Sequence, residues 1–315
     1  MASSNIASTT RKLYITFSDN TGEQYVDLAQ CLSLVNRRAY RQGMNYAIDN
    51  IRLYATSGGN VNCSIVPTTW CADNATTRAF IAWSAQRKEV LDEQPSMKSR
   101  WSDFKIFMDS DHVTATVAAN LLPNGINPLL NPGEWVPSEI VFPVDGGAGG
   151  TPAANQQTMH VCGDNLPIGN FQTATGTSFS LIEAYANSRR THEDPDPSTT
   201  GVSTTTNPYA TLSVPDSLFQ DVAENLLDNN NSPPYPNDEY PGGATYLAAP
   251  QIFAAANLNN IGDSAAYSTF NTGPFVAPFG LLKFDPVSFD LEATIFLEIT
   301  LVPGSYKGVL AEKGV

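Results

Sequence analysis

The sequence predicts an all-β sandwich, and two observations lead to that fold class. Residues 12–17 and residues 294–301 alternate apolar and less apolar side chains with a period of two. Such alternation is typical of a strand with one buried face. The residues between them contain few helical patterns and many turns, so we expect the terminal strands to lie side by side and to close one core.

The inward-facing side chains of both terminal strands follow from the same alternation. A chain that opens and closes on such strands is more typical of shells and binding modules than of metabolic enzymes. The predicted core residues of these strands are Leu13, Ile15, Phe17, Ile295, Leu297, Ile299 and Leu301.

Two more alternating runs, residues 51–55 and 61–65, flank the turn-forming sequence Ser57-Gly58-Gly59-Asn60. Glycine and asparagine tolerate the positive φ angles of tight hairpin turns. We therefore predict a β-hairpin over residues 51–65. Residues 24–35, by contrast, are compatible with a strand or with a short helix.

The period changes to that of a helix between Asp73 and Leu91. Apolar and long side chains recur there on one face, which includes Phe80 and Trp83. Asp73 or Asn74 is the expected N-cap. We interpret the two aromatic residues as packing residues rather than as a ligand site.

Weaker patterns complete the secondary structure. A second amphipathic helix is predicted at residues 218–227, after the capping-box sequence Ser213-Val214-Pro215-Asp216. Further strands are predicted at residues 104–108, 139–142, 159–162 and 179–186.

The chain has 315 residues, enough for one large all-β domain or two small ones. No internal repeat or change of composition requires a second domain. We predict a flexible N-terminal arm over residues 1–10 and a single domain over residues 11–315. Long inserted loops are expected within that domain at residues 144–156, 188–211 and 228–250.

The charge of the chain is low and unevenly distributed. Charged residues make up 15% of the chain, and the net charge is −14. Residues 1–105 contain 12 of the 17 Lys and Arg against nine acidic residues, whereas residues 106–315 contain five against 22. The first third can therefore present a local positive surface on an acidic chain, although chance segregation would give the same counts.

The best candidate for nucleic-acid binding is an arginine-rich run near the N-terminus. Arginines neutralise phosphates, and a tyrosine between them can stack on a base. The same run is also typical of a solvated turn, and both interpretations stand. The candidate residues are Arg11, Lys12, Arg37, Arg38, Tyr40 and Arg41.

The sequence predicts no enzyme and neither a cofactor nor a metal. It contains only the histidines His112, His160 and His192, and no G-x-S-x-G nucleophile motif. Residues 109–112 offer carboxylates and an imidazole, but the glycine of a calcium loop is missing. Residues 193–196 are acidic, and we interpret them as a solvated loop rather than as a cation site.

The spacing of the cysteines and the length of the apolar runs argue against several kinds of protein. Cys31, Cys63, Cys71 and Cys162 form no C-x-x-C pair, which argues against a zinc ribbon and leaves disulfides open. The sequence has no apolar run of about 18 residues and none of signal-peptide length. We therefore expect no membrane segment and synthesis in a cytosol.

Three stretches resemble the capsid proteins of small circular single-stranded DNA viruses. They are residues 51–70, which end in Pro-Thr-Thr-Trp, residues 273–284 and residues 301–309. The resemblance implies a single jelly roll of about eight antiparallel strands with two short helices, and a double jelly roll is the architectural alternative. The chain departs from many such capsids because it lacks an Arg-rich N-terminal arm.

The same resemblance implies a function, which is that of a major capsid protein in the virion. Many copies would assemble into an icosahedral shell, with encapsidated single-stranded DNA and a host receptor as partners. Tyr235, Tyr240 and Tyr306 are the expected intersubunit contacts.

Two other functions compete with the capsid hypothesis. A carbohydrate-binding or adhesin-like β-sandwich would use exposed aromatic residues, for example Tyr235 and Tyr240, without assembly. A glycosidase-like sandwich ranks last, because no pair among the 31 acidic residues stands out as catalytic.

Overall fold

The structure, a computed structural model, describes residues 9–18, 22–99, 102–124, 135–144, 153–166, 177–190, 249–258, 267–287, 289 and 293–315. This part of the chain is mostly β-strand in antiparallel sheets, as the all-β prediction requires. Its α-helices are α1 (Leu28–Asn36), α2 (Trp70–Glu93), α3 (Ser110–Ala115) and α4 (Leu181–Arg190). Its strands are β1 (Lys12–Ser18), β2 (Gln24–Asp27), β3 (Met44–Ala55), β4 (Gly59–Ile65), β5 (Glu139–Val144), β6 (Ala153–His160), β7 (Ser178–Ser180), β8 (Gln251–Leu258), β9 (Ser268–Asn271), β10 (Phe275–Ala277), β11 (Leu281–Val287), β12 (Thr294–Leu301), β13 (Pro303–Gly304), β14 (Gly308–Val309) and β15 (Ala311–Lys313).

The two terminal strands lie side by side, which confirms the main prediction from the sequence. β1 pairs antiparallel with β12, so that Leu13 is opposite Ile299 and Ile15 is opposite Leu297. The seven side chains predicted to face inward are all buried, and none is more than 6% exposed. β1 and β12 therefore close one core.

Two sheets pack face to face around that core. The first sheet has the order β1-β12-β3-β10, and β9 and β15 also pair with β3. The second sheet has the order β2-β11-β4-β8. Ile51 and Leu53 of the first sheet share one buried cluster with Val61 and Cys63 of the second, so the two sheets form a sandwich.

The hairpin predicted over residues 51–65 is wrong. β3 pairs with β12 in the first sheet, whereas β4 pairs with β11 and β8 in the second. The short connection between β3 and β4 therefore carries the chain from one sheet to the other. Both strands bury alternate side chains in the shared core, and this produces the same alternation as a hairpin.

The connection from β4 to β8, residues 66–250, contains a further core. β5, β6 and β7 form a third sheet, in which β6 and β7 are parallel. A second buried cluster includes Ala72 and Ala75 of α2, Met159 of β6 and Ile182 of α4. The described part of this connection is therefore a packed insertion and not only a set of loops.

The helix predicted between Asp73 and Leu91 is confirmed as α2, which spans 24 residues and is therefore not short. Its N-cap is Thr69, whose hydroxyl accepts a hydrogen bond from the Ala72 N–H at 3.2 Å. The expectation of Asp73 or Asn74 at this position is wrong, because the helix begins about one turn earlier.

Residues 104–108 are not a strand apart from one isolated bridge at Phe107, so that prediction is wrong. An irregular segment that is buried on several sides gives an apolar run like that of a strand. The aromatic ring of Phe104 packs against Phe80 and Trp83 of α2, with ring centroids 5.5 and 5.6 Å apart. These two residues are packing residues in α2, as predicted.

The strand predicted at residues 179–186 is also mostly wrong. β7 ends at Ser180, and α4 occupies the next ten residues. The predicted strands at residues 139–142 and 159–162 lie within or overlap β5 and β6. β6 begins at Ala153, inside the loop expected at 144–156.

Several predictions lie outside the described residues. They concern residues 1–8 of the expected arm, residues 191–211, the second amphipathic helix at 218–227 and residues 228–248. The loop expected at 188–211 is wrong in its first three residues, which belong to α4. Residues 24–35, compatible with a strand or a short helix, contain both, because β2 is followed directly by α1. α4 is a helix that the sequence patterns did not identify.

A buried ion pair joins the second sheet to the insertion. Nζ of Lys283 in β11 lies 2.8 Å from Asp109 Oδ2 and 2.7 Å from Glu23 Oε2. The Tyr25 hydroxyl lies 2.7 Å from Asp109 Oδ1 and 2.9 Å from Glu23 Oε2. Because Asp109 is also the N-cap of α3, this network fixes the start of that helix.

Two buried histidines belong to the same region. His112 Nδ1 accepts a hydrogen bond from the Met108 N–H at 3.2 Å, so Nε2 donates to Asn120 Oδ1 at 2.7 Å. His160 Nε2 lies 3.0 Å from the Asp164 carbonyl. Burial lowers the pKa of both histidines to about 4, so both are neutral near pH 7.

Candidate nucleic-acid interface

The structure brings three separate segments of the chain to one corner of the sandwich. The Thr10 N–H donates to Asn36 Oδ1 at 2.8 Å, and Asn36 Nδ2 donates to the Thr10 carbonyl at 3.0 Å. The Thr9 hydroxyl donates to the Lys307 carbonyl at 3.1 Å. The residues before β1, the end of α1 and the connection between the paired strands β13 and β14 therefore meet. Thr9 and Thr10 of the expected arm are anchored there.

Five cationic residues of the described part of the chain belong to this corner. All four of its arginines are exposed, and its lysine is partly buried. The C-cap of α1 is Arg37, whose φ of 54° lies in the left-handed region that commonly ends a helix. A cation there also interacts favourably with the negative end of the helix dipole. We call this set the basic corner, and it consists of Arg11, Arg37, Arg38, Arg41 and Lys307.

Tyr40, which the sequence predicts to stack on a base, lies beneath the basic corner and is only 1% exposed. Its hydroxyl donates to the Lys307 carbonyl at 2.9 Å. Its ring meets that of Tyr306 nearly at a right angle, and the Tyr306 hydroxyl accepts a hydrogen bond from the Arg41 N–H at 3.2 Å. Tyr40 therefore positions the corner, and its buried ring is not accessible to a nucleotide.

The cations of the basic corner influence one another. Nζ of Lys307 donates to the Ala39 carbonyl. Burial lowers the pKa of Lys307, and the charges of Arg41 and Arg38 lower it further. The carboxylate of Asp103 lies 3.9 Å from Arg41 Nε and offsets part of this repulsion. A bound anion would relieve the rest, which is the property expected of a phosphate-binding surface.

Lys12 lies outside the basic corner. Its side chain is on the solvent side of β1, where Nζ lies 2.9 Å from Glu298 Oε1. Arg52 of the nearby strand β3 lies 4.0 Å from the other oxygen of the same carboxylate. Of the six residues proposed from the sequence, the structure thus brings four arginines together, buries Tyr40 beneath them and places Lys12 on the sheet.

The acidic residues at 109–112 are partly neutralised within the fold. Carboxylate oxygens of Glu23, Asp109 and Asp111 lie within 4.8 Å of one another. The ammonium group of Lys283 lies against the first two of these carboxylates. The fold therefore supplies a positive charge of its own to this acidic cluster.

The three tyrosines predicted at subunit contacts are placed differently. Tyr306 lies beside the basic corner, where it contacts Arg41 and Tyr40, and is partly buried. Tyr235 and Tyr240 lie outside the described residues.

Comparisons with known proteins add no relative: no protein-family model, no curated protein and no solved structure matches this chain. The resemblance to capsid proteins therefore stays a prediction. Within the part of the chain that the structure describes, no helix has both the length and the apolar character that a bilayer crossing requires.

Reasoning from the sequence misses two residues that the structure singles out. Lys307 is a single cation near the C-terminus, and nothing local indicates that it joins the arginines of residues 37–41. Tyr14 is half exposed on the first sheet. The sequence does indicate that Tyr14 faces solvent, because the alternation that places Leu13 and Ile15 inward places Tyr14 outward.

Proposed function

We propose that the protein is a major capsid protein whose copies form an icosahedral shell around single-stranded DNA, and that its sandwich is a single jelly roll. Eight strands carry the proposal: β1, β2, β3, β4, β8, β10, β11 and β12. Numbered one to eight in chain order, they pair antiparallel as one with eight, two with seven, three with six and four with five. A long antiparallel ribbon that is rolled up gives these pairs. The result is a jelly roll, an eight-stranded double sheet that consists of two Greek-key motifs.

The strand order inside each sheet supports the same topology. The last strand of the eight lies between the first and the third, and the seventh lies between the second and the fourth. Consecutive strands three and four are in different sheets, which a rolled ribbon requires and a simple meander does not. This set of pairings is the single observation on which the proposed fold and function depend.

The insertion between the fourth and fifth of these strands bears on the double jelly roll. Its described sheet has three strands, one pair of which is parallel. A second jelly roll would need eight antiparallel strands. The described residues thus favour one roll with a packed insertion, and we propose the single form.

Contact with a nucleic acid is supported by the basic corner. The chain as a whole carries a net charge of −14, and such a protein repels a polyanion on most of its surface. Five cations in one corner, with the Asp103 carboxylate nearby, give a local exception. We propose that this corner faces the interior of the shell and binds phosphates of the packaged DNA.

Self-assembly is supported by apolar groups on the surface. Ile81, Val136 and Ile252 are each more than half exposed. β8 is at the edge of the second sheet as described and contains no charged residue. Exposed apolar groups and uncharged strand edges favour contacts between chains, so copies of this protein have surfaces on which to associate.

The test is to express the full chain and to examine it by electron microscopy and light scattering. We expect closed particles of uniform size that protect single-stranded DNA from nuclease. The combined variant Arg37→Ala, Arg38→Ala, Arg41→Ala should still form particles but should protect less DNA. A protein that stays monomeric under all conditions of salt, pH and concentration would rule out the capsid function. Binding to a host receptor and residence in the virion follow from the proposal and depend on the same result.

A carbohydrate-binding module is the second candidate, and one observation favours it. The first sheet exposes Tyr14 and Tyr267 on its solvent side, at 52% and 53%, and exposed aromatic rings suit the faces of sugar rings. A glycan array with clear hits from a monomeric protein would support this candidate over the capsid.

A further inference from the structure

We infer that the solvent side of the first sheet is a stacking surface for single-stranded nucleic acid, continuous with the basic corner. This inference rests on the proposed function, because it names a surface on which the packaged strand lies. We call the surface the sheet face, and it consists of Tyr14, Tyr54, Phe296, Tyr267, Lys12 and Arg52.

The strand register places the aromatic residues of the sheet face in neighbouring rows. Thr16 is opposite Phe296, which in turn is opposite Tyr54 on the next strand. Tyr14 belongs to the adjacent row, opposite Glu298. Strands lie about 4.8 Å apart and the chain rises about 3.4 Å per residue, so Tyr14 and Tyr54, two strands and two residues apart, stand roughly 12 Å apart. Separate bases can therefore stack on separate rings, as on other single-strand-binding surfaces.

The charge presented by the sheet face is positive where it is exposed. The side chains of Lys12 and Arg52 are 54% and 52% exposed, whereas the Glu298 carboxylate between them is only 12% exposed. The Tyr54 hydroxyl donates to the same carboxylate at 3.4 Å. Glu298 therefore holds the two cations in place from below, and an approaching strand meets the cations first. Asp49, exposed at the bulge of β3, is an acidic residue that opposes binding here.

Continuity with the basic corner gives the bound strand a path. Arg11 of the corner directly precedes Lys12 of the sheet face, and the Arg11 carbonyl accepts a hydrogen bond from the Leu301 N–H at 3.0 Å. Alternation along an extended chain points the side chains of Arg11 and Lys12 to opposite sides, so a strand held by the corner reaches the rings by passing around the start of β1. A sugar chain would need the rings but not the cations, and this difference makes single-stranded nucleic acid the better occupant.

The experiment measures binding of a fluorescent oligothymidylate by anisotropy, with the full chain at a concentration where light scattering shows it to be unassembled. Stacking on one ring is worth about 1–3 kcal/mol, so Tyr14→Ala should weaken binding roughly 5- to 150-fold. Its salt dependence should not change, because no charge is lost. Tyr14→Phe keeps the ring and should bind nearly as the wild type does.

Substitutions of charged residues distinguish binding at the basic corner from binding at the sheet face. Arg38→Ala in the basic corner should lower the salt slope by about 0.7, the value for one phosphate of a single strand. Asp49→Asn should strengthen binding, whereas Ile252→Ala on the other sheet should leave it unchanged. Ultraviolet crosslinking in assembled particles, read by mass spectrometry, should attach thymine to the peptide that contains Tyr14.

Each outcome decides between the proposals. If Tyr14→Ala binds as the wild type does while Arg38→Ala is weakened, the stacking surface is refuted and the basic corner stands. If the wild type binds no single strand at all, the proposed contact with the genome fails together with this inference. If Tyr14→Ala instead abolishes binding to a neutral glycan, the sheet face is a carbohydrate site.

Discussion

Lys283 offers the sharpest test of what holds the sandwich to its insertion. Its ammonium group lies within 2.8 Å of carboxylate oxygens of Asp109 and Glu23, and its side chain is 10% exposed. Lys283→Met keeps most of the aliphatic chain but removes the charge. Asp109, whose side chain is 4% exposed, then stays buried without its cation.

The loss of stability expected for Lys283→Met follows from the burial of the ion pair. Removing one partner of a buried ion pair costs about 3–5 kcal/mol. Glu23 is 36% exposed, so water screens part of its lost interaction, and we expect about 3 kcal/mol, near the lower limit. Since domains of this kind are stable by about 5–15 kcal/mol, the loss should be easy to measure by urea unfolding followed by circular dichroism.

A matched control is available on the first sheet. Lys12 contacts Glu298 at 2.9 Å, a distance similar to that of the buried pair, but its side chain is 54% exposed. Lys12→Met should therefore shift the urea midpoint much less than Lys283→Met does, because water screens an exposed ion pair. The double variant Lys283→Met, Asp109→Asn should recover part of the loss, because it removes the uncompensated charge. Equal effects of the two lysine substitutions would refute the argument that burial makes the difference.

Two other predictions concern acid stability and glycine geometry. The pKa values of His112 and His160 in the folded protein are lowered to about 4. The neutral imidazoles therefore contribute fully to the free energy of unfolding above the unfolded pKa near 6.5, and this contribution is lost as pH falls through about 4. It amounts to at most about 3 kcal/mol for each imidazole. Burial raises the pKa of Asp27 to about 6, so protonation of Asp27 at low pH stabilises the fold and opposes the effect of the histidines. We therefore compare His112→Asn with the wild type, because both proteins contain Asp27 and its effect cancels. The difference in urea midpoint between these two proteins should be smaller at pH 4.5 than at pH 7, and an unchanged difference would contradict this. Gly280→Ala should lower the temperature of thermal unfolding more than Gly273→Ala does. Both glycines have a positive φ, but only the new methyl group at 280 would lie 2.9 Å from a buried tyrosine ring. Equal losses of stability would show that backbone strain alone sets the cost.

The terminal strands were predictable from the sequence because their signal is local. Each has one buried face, so the alternation through Leu13 and Ile15 in β1, and through Ile295 and Leu297 in β12, is visible in a short window. Their pairing follows from the need to cover two such faces. The helix at α2 was predictable for the same reason, because a period near 3.6 persists over many residues.

The errors arise where partners come from distant parts of the chain. Residues 51–65 alternate in the same way whether β3 and β4 pair with each other or with strands from the C-terminal third. Tyr40 looks exposed because arginines surround it, yet Lys307 and Tyr306 cover it from more than 260 residues away. The candidate site was thus predictable in its four arginines and not in Lys307 or in the buried position of Tyr40.

The position of β12 has a consequence for synthesis on the ribosome. β12 lies between β1 and β3 in the first sheet, so those two strands lack their common neighbour until residues 294–301 have been made. Contacts between residues so far apart in sequence form slowly and late. A nascent or truncated chain that lacks β12 therefore has β1 and β3 without the strand that joins them, and its first sheet stays incomplete.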